Sequence, residues 1–333
     1  MRKIISTVLC ATLAVSMLAG CGNTAKSTTE AVATETTEAV SSVTEKANDA
    51  TSVEDKAEDV TITHSKGETT VKANPQKVVV FDLGILDIMD ALGVKAELAV
   101  PTESLTSYLS EYESATNAGG IKQPDVEGIY NFKPDVIFIS GRQSDYYDEL
   151  NKIAPTVYVD QNSETYMEDF ENNVRTIAKI FGKQSLAEEK LAEIEQLVAE
   201  GQKKAAESKE NALVILTNDG SMSAYGKGSR FGIVHDVLGV TPADDTIEVS
   251  THGQEASYEY ISKVNPDVLF VIDRTAVVGG DTKASDTLNN DLVKSTKAGK
   301  NNKIVYLDAE TWYLGGAGLT SVKTMIEEIV NGL

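Results

Sequence analysis

From Thr61 onward the chain alternates continuous apolar runs with stretches of helical period. Lys77-Val78-Val79-Val80-Phe81 reads as a buried strand, and Leu83-Gly84-Ile85-Leu86-Asp87-Ile88-Met89 as a helix stopped by Gly93. Strands apolar on both faces must be covered on both faces, so this alternation predicts parallel sheets sandwiched by helices. Glu164 to Phe181 carries apolar residues at helical spacing and stops at Gly182. Ser185, with Glu188 three positions on, resembles an N-cap and opens a helix to about Ser208 through Leu186, Leu191, Ile194, Leu197 and Val198. Such a helix is roughly 36 Å long, enough to bridge two lobes in one crossing.

The two flanks of that helix echo each other. Asn131-Phe132-Lys133-Pro134-Asp135-Val136-Ile137-Phe138-Ile139-Ser140-Gly141-Arg142 has a partner in Lys263-Val264-Asn265-Pro266-Asp267-Val268-Leu269-Phe270-Val271-Ile272-Asp273-Arg274. Each is a Pro-Asp start, an apolar strand and a polar exit with an arginine. Thr156-Val157-Tyr158-Val159-Asp160 and Lys303-Ile304-Val305-Tyr306-Leu307-Asp308 repeat the pattern in the same order. The expected fold is α/β, with a lobe at 60–183, a helix at 184–208 and a second lobe of similar build at 209–333. One large sheet with a long surface helix is the alternative.

Ahead of these lobes the chain has another character. Met1-Arg2-Lys3 precedes an apolar run from Ile4 to Leu18, a secretory signal too short to span a bilayer comfortably. It ends in Leu18-Ala19-Gly20-Cys21, which resembles the lipobox of bacterial lipoproteins. The resemblance implies cleavage after residue 20, lipidation of Cys21 and an acyl anchor on the outer face of a membrane. A plain secretory signal with a leftover cysteine is the simpler alternative. Residues 21–59 are rich in Thr, Ser, Ala and Glu without an aromatic, with three lysines against nine carboxylates. That composition predicts a flexible tether, typically about 35 Å end to end.

The formal charge of −21 argues against a nucleic acid partner, which needs a basic footprint. Cys10 and Cys21 both lie at the extreme N-terminus, so no disulfide framework or catalytic thiol arises in the lobes. The arginines are more informative. Only five of the 30 basic residues are arginine, and three of them stand in loops: Arg142 and Arg274 after strands, and Arg230 in Gly226-Lys227-Gly228-Ser229-Arg230. Strand carboxyl ends are where open α/β sheets bind ligands, and a guanidinium fork suits oxyanions. A compact anionic ligand is therefore expected, against the plainer possibility that each arginine pairs with a carboxylate. The glycine-rich stretch lacks a P-loop ending, and no serine sits in a nucleophile elbow. His235 reads as structural or exposed, His64 as the start of an edge strand, and His252 as a loop residue between Thr251 and Gly253.

Gly228-Ser229-Arg230-Phe231-Gly232, Thr251-His252-Gly253, Phe270-Val271-Ile272-Asp273-Arg274 and Val305-Tyr306-Leu307-Asp308 with Trp312-Tyr313-Leu314 resemble one family. It is that of the iron–siderophore solute-binding lipoproteins of ABC importers, particularly the catecholate, petrobactin-type branch. The resemblance runs from about residue 60 to the C-terminus. It implies the class III periplasmic-binding-protein fold: two Rossmann-like lobes with parallel-rich sheets, joined by one long helix, with ligand in the cleft. Arg142, Arg230 and Arg274 then contact catecholate oxygens, and His252 and Tyr313 bind Fe³⁺ directly. Two dianionic catecholates around Fe³⁺ leave a monoanionic complex with two open positions, which a neutral imidazole and a phenolate can close. The ferric siderophore is cargo, not a permanent cofactor, and no catalytic residue is implied. Acidic residues near each lobe's apex, here Asp87 and Glu259 at helix starts, are expected to meet the ABC permease. The protein is expected to act as a monomer, anchored to the outer face of the cytoplasmic membrane, which suits a Gram-positive surface, with an inner-membrane lipoprotein facing a periplasm as the alternative. Rival expectations are a surface α/β enzyme acting on siderophores or glycans, and a binding protein for haem, cobalamin or a bare metal ion.

Overall fold

The computed structural model describes residues 55–250 and 252–333. The expected signal, Cys21 and residues 21–54 of the expected tether lie outside that range. Among the described residues no helix is long and apolar enough to cross a membrane.

The first lobe opens on an antiparallel hairpin, β1 (Val60–His64) and β2 (Gly67–Val71). There follow β3 (Lys77–Val80), α1 (Leu83–Ala91), β4 (Glu97–Val100), β5 (Thr116–Asn117) and a short ribbon, β6 (Gly119–Gly120) with β7 (Gln123–Pro124). The lobe closes with α2 (Val126–Phe132), β8 (Val136–Ile139), α3 (Tyr147–Leu150), β9 (Thr156–Tyr158) and α4 (Tyr166–Phe181). The main sheet runs β5-β4-β3-β8-β9 with every pairing parallel. Its central strands are sealed on both faces, as their unbroken apolar runs require: Val78 to Val80 and Val136 to Ile139 are all buried. Asp82 caps α1 by accepting the amide of Ile85 at 3.0 Å.

α5 (Gln184–Ser208) packs against α4 on one side and the C-terminal helix on the other. Ser185 is not its N-cap. Lys183 holds that position, while the Asp55 carboxylate accepts both the amide and the hydroxyl of Ser185. Glu188 instead pairs with Arg175 of α4 at 2.9 Å. Asp55–Asp59, expected in the tether, are hydrogen-bonded to the lobe: Glu58 donates to the Lys179 carbonyl, and Asp59 accepts from Lys72 and Ala73.

The second lobe holds β10 (Asn211–Asn218), β11 (Ser221–Tyr225), β12 (Thr241–Pro242), β13 (Gln254–Glu255), α6 (Tyr258–Val264) and β14 (Val268–Asp273). After them come α7 (Arg274–Val278), the one-turn helices α8 (Ala284–Thr287), α9 (Asp291–Lys294) and α10 (Lys297–Lys300), β15 (Ile304–Leu307) and α11 (Leu319–Gly332). Its sheet runs β13-β11-β10-β14-β15, with β12 beside β10. Unlike the first sheet it is mixed, because β11 returns antiparallel along β10. The two-residue turn between them is Asp219-Gly220, at φ 47° and 86°, the left-handed pair that matches hairpin twist.

A buried seam joins the lobes. Asp87 lies mid-helix in α1, fully buried, and accepts the amides of Thr320 at 2.9 Å and Ser321 at 2.8 Å in the first turn of α11. A Cβ on Gly318 would fall 2.3 Å from that side chain, so only glycine lets the helices approach this closely. Burial pushes the Asp87 carboxyl above its ordinary range, opposed by the hydrogen bonds from Thr320 and Ser321. The expectation that Asp87 meets a permease is therefore corrected: its oxygens cap a helix inside the molecule. Glu259, its expected counterpart, is exposed in the first turn of α6.

Candidate ligand-binding cleft

Each strand's carboxyl end delivers a side chain toward the gap between the lobes. After β8 the chain folds into a tight 3-10 turn, Gly141–Tyr146, whose second residue is Arg142. After β14, Arg274 opens α7 directly. Arg230 follows β11 in the glycine-rich loop, where Gly228 takes φ 64° and its amide donates to Asp236 at 2.6 Å. Beyond β15, the turn Glu310–Leu314 carries Tyr313.

The three arginines converge on Tyr313. Arg142 and Arg230 each donate an Nη2 hydrogen to the Tyr313 carbonyl, the former at 2.8 Å across the gap between lobes. Arg274 Nε donates to the Tyr313 phenol oxygen at 2.7 Å, and its Nη1 to Asn218 Oδ1. The Arg230 guanidinium lies 4.5 Å over the Tyr313 ring centroid and that of Arg274 5.3 Å. Among the described residues none of the three forms an ion pair, whereas Arg175 of α4 is paired with both Glu171 and Glu188. Carboxylate glue is thus the account of Arg175, not of the cleft arginines.

The electrostatic consequence falls on Tyr313. Burial raises its phenol, but the Arg274 hydrogen bond and the charges of Arg274, Arg230 and Arg142 outweigh that and bring it below the ordinary phenol value. Arg230 stays open to the cleft, yet desolvation by the surrounding walls, then the like charge of Arg142, lowers its proton affinity.

Two cavities share Arg142 and Leu314, and the first of them is bordered by Tyr313. One, of about 620 Å³, is walled by Arg142, Lys122, Arg274, Val278, Glu310 and Tyr313. The other, of about 550 Å³, is walled by Arg142, Arg230, Tyr166, Asp160 and Trp312. Trp312 is buried, its indole donating to Glu328 at 2.7 Å and its ring 6.1 Å from that of Phe231. His252 is not brought to the cluster. It is exposed in the loop before β13 and lines neither cavity. Its neighbour Gly253, at φ 73°, lies against the ring of Tyr225, where a Cβ would fall 2.8 Å away. His235 is buried and bonded to the Val240 carbonyl at 2.8 Å, a structural role. His64 ends β1 instead of beginning it, bonded to the Thr69 hydroxyl at 3.0 Å.

Residues 78–311 match a family described as periplasmic binding protein. The chain belongs to the periplasmic binding protein family. Petrobactin-binding protein YclQ of Bacillus subtilis is 47% identical over 268 residues, 80% of this chain and 84% of that one. The crystal structure of YclQ matches this fold with a TM-score of 0.80 at 45% identity, over 83% of this chain and 98% of that one. Ferric-anguibactin-binding protein FatB of Vibrio anguillarum is 40% identical over 274 residues, 80% of this chain and 85% of that one. The periplasmic catecholate-siderophore binding protein VctP of Vibrio cholerae matches with a TM-score of 0.76 at 35% identity, over 82% and 99%.

Within this periplasmic binding protein, sequence reasoning missed Asn218 and Lys122. Asn218 closes a strand at the ligand-binding edge of the sheet, but Asn218-Asp219-Gly220-Ser221 looks like hairpin chemistry and nothing more. Lys122 follows the β6 glycines and carries no local signal.

Proposed function

We propose that this protein captures a ferric catecholate-type siderophore in the cleft and delivers it to an ABC importer, breaking no covalent bond. The observation that carries this is the cluster of three arginines whose acceptors are all neutral: the carbonyl and phenol of Tyr313 and the side-chain amide of Asn218. Like charges held together by neutral acceptors keep their attraction for an incoming anion, and catecholate oxygens on Fe³⁺ present that charge. Tyr313, its phenol already biased toward ionisation, is the protein group suited to close an open position on the hard ferric ion. His252 would have to swing its loop inward to join it. The names of the relatives agree in the class of cargo. Cys21 would carry the lipid anchor that holds a monomer outside the cytoplasmic membrane, and Glu259 remains the candidate permease contact.

Trp312, the single tryptophan, lines the cavity beside Arg230 and gives the test. Titrating its emission with a monoanionic ferric bis-catecholate should quench it saturably at micromolar or lower concentration. A neutral ferric tris-hydroxamate and haem should bind at least about tenfold more weakly. Equal binding of the neutral complex, or no response to ferric catecholates, overturns the reading.

A further inference from the structure

Arg274 is the cleft arginine with two anchors. The second is the side-chain oxygen of Asn218, the last residue of β10, 56 positions earlier in the chain. The backbone there has little freedom. Its neighbour Thr217 is registered against Asp273 of β14, and Asn218 itself pairs with Ser221 of β11. The turn that follows is tied to the segment beyond α7: Asp219 accepts the amides of Asp281 at 3.1 Å and Thr282 at 2.8 Å. Its own amide donates to the Thr275 hydroxyl oxygen at 2.8 Å. The hairpin turn, Thr275 of α7 and the segment beyond it form one bonded unit, which fixes where the half-buried Asn218 side chain meets the guanidinium.

The chemistry of this acceptor matters as much as its place. An aspartate has nearly the same shape and would bond the same nitrogen, but it would make an ion pair and cancel one of the cleft's positive charges. An amide aims the guanidinium and leaves its charge whole. We propose that Asn218 is the positioning residue that orients Arg274 without neutralising it, and that it thereby sets the preference of the cleft for anionic chelates. This rests on the function proposed above.

The experiment uses the secreted chain and two probes, a trianionic ferric tris-catecholate and a monoanionic ferric bis-catecholate. Asn218→Asp should weaken the trianionic complex about tenfold or more, and the monoanionic one less, with thermal stability retained or raised. The dependence of log affinity on log salt should also become shallower by about one ion, which a purely structural residue would not cause. Asn218→Ala keeps the arginine's charge and loses its aim, so both complexes should weaken together, about fivefold, with the salt slope unchanged. The alanine variant carries the test if the aspartate variant fails to fold. Affinities within twofold of wild type for either folded variant overturn the proposal, as does an equal loss for both probes in Asn218→Asp. If the wild-type protein binds neither probe, the proposed function fails first.

Discussion

The two lobes contain the same small machine and use it differently. In each, a seven-residue helix, α2 or α6, is capped by a side chain, Asp125 or Ser257, and ends on a left-handed residue, Lys133 at φ 56° or Asn265 at φ 52°. Proline and aspartate follow. Asp135 accepts the amides of Gln76 at 2.8 Å and Lys77 at 2.9 Å, while Asp267 accepts that of Asn211 at 3.2 Å. Each aspartate thus pins the neighbouring central strand, β3 or β10, in register with its own. A buried strand then exports an arginine at its carboxyl end. The difference lies in what waits there. The first sheet is wholly parallel and offers Arg142 alone, reaching across to the Tyr313 carbonyl. The second is interrupted by the β10–β11 hairpin, which adds Asn218 and Arg230 beside Arg274 and Tyr313. One lobe assembles most of the arginine–tyrosine cluster, and the other brings a single arginine to it.

The strongest way to break that asymmetry is to remove arginines lobe by lobe. Arg230→Ala with Arg274→Ala should cost a ferric bis-catecholate on the order of a hundredfold to ten-thousandfold in affinity, since each loses a charge-assisted bond of about 1.5–3 kcal/mol. Arg142→Ala should cost about tenfold, because its two companions still hold the anion. Trp312 quenching measures both. A larger loss from Arg142→Ala than from the double variant would reverse the assignment of roles.

What the sequence made legible follows the same division. The repeated unit was readable because its signals are local: an apolar run for a strand buried on both faces, a Pro-Asp start, an arginine at the exit. Arg142, Arg230 and Arg274 stood out because arginine is scarce here and all three fall in loops. Asp87 was misjudged for the opposite reason. Its position is decided by Thr320 and Ser321, more than 230 residues away, and nothing around Leu83–Met89 announces that a second helix will seat its amides there. The start of α5 failed likewise, because the carboxylate at Ser185 comes from Asp55. Asn218 was hidden by a turn motif that explains its neighbours completely.

The pins offer a subtler contrast. Asp267 also pairs with Lys297 at 2.9 Å. Desolvation raises its carboxyl, but the Lys297 hydrogen bond, the Asn211 amide and the charges of Lys297 and Lys303 outweigh that and lower it. A carboxyl lowered in the folded state contributes stability above the ordinary carboxylate range and loses it as pH falls through and below about 4. Asp267→Asn should therefore flatten the acid limb of thermal stability below about pH 4. At neutral pH it should cost about 1 kcal/mol, since half-exposed Lys297 is screened by solvent. Melting curves at several pH values give the answer. An acid limb as steep as in wild type would remove the pin from the second lobe's account.

The smallest expected effect concerns the one candidate iron ligand the structure leaves outside the cluster. His252 is exposed and borders neither cavity, while Gly253 rests on the ring of Tyr225, which feels the charges of Arg230 and Arg274. The loop is thus separated from the arginine cluster by Tyr225 and does not present its imidazole to the cavities. If the second lobe binds through its arginines and Tyr313, His252→Ala should change affinity for a ferric bis-catecholate by less than about threefold, under 0.7 kcal/mol. Tyr313→Phe keeps the carbonyl that orders Arg142 and Arg230 but loses the phenol, and should weaken binding clearly more. Parallel titrations of the two variants settle the order. A loss of tenfold or more for His252→Ala would mean that the loop swings its imidazole onto the ferric ion, and the second lobe's surface would then be assembled by the ligand.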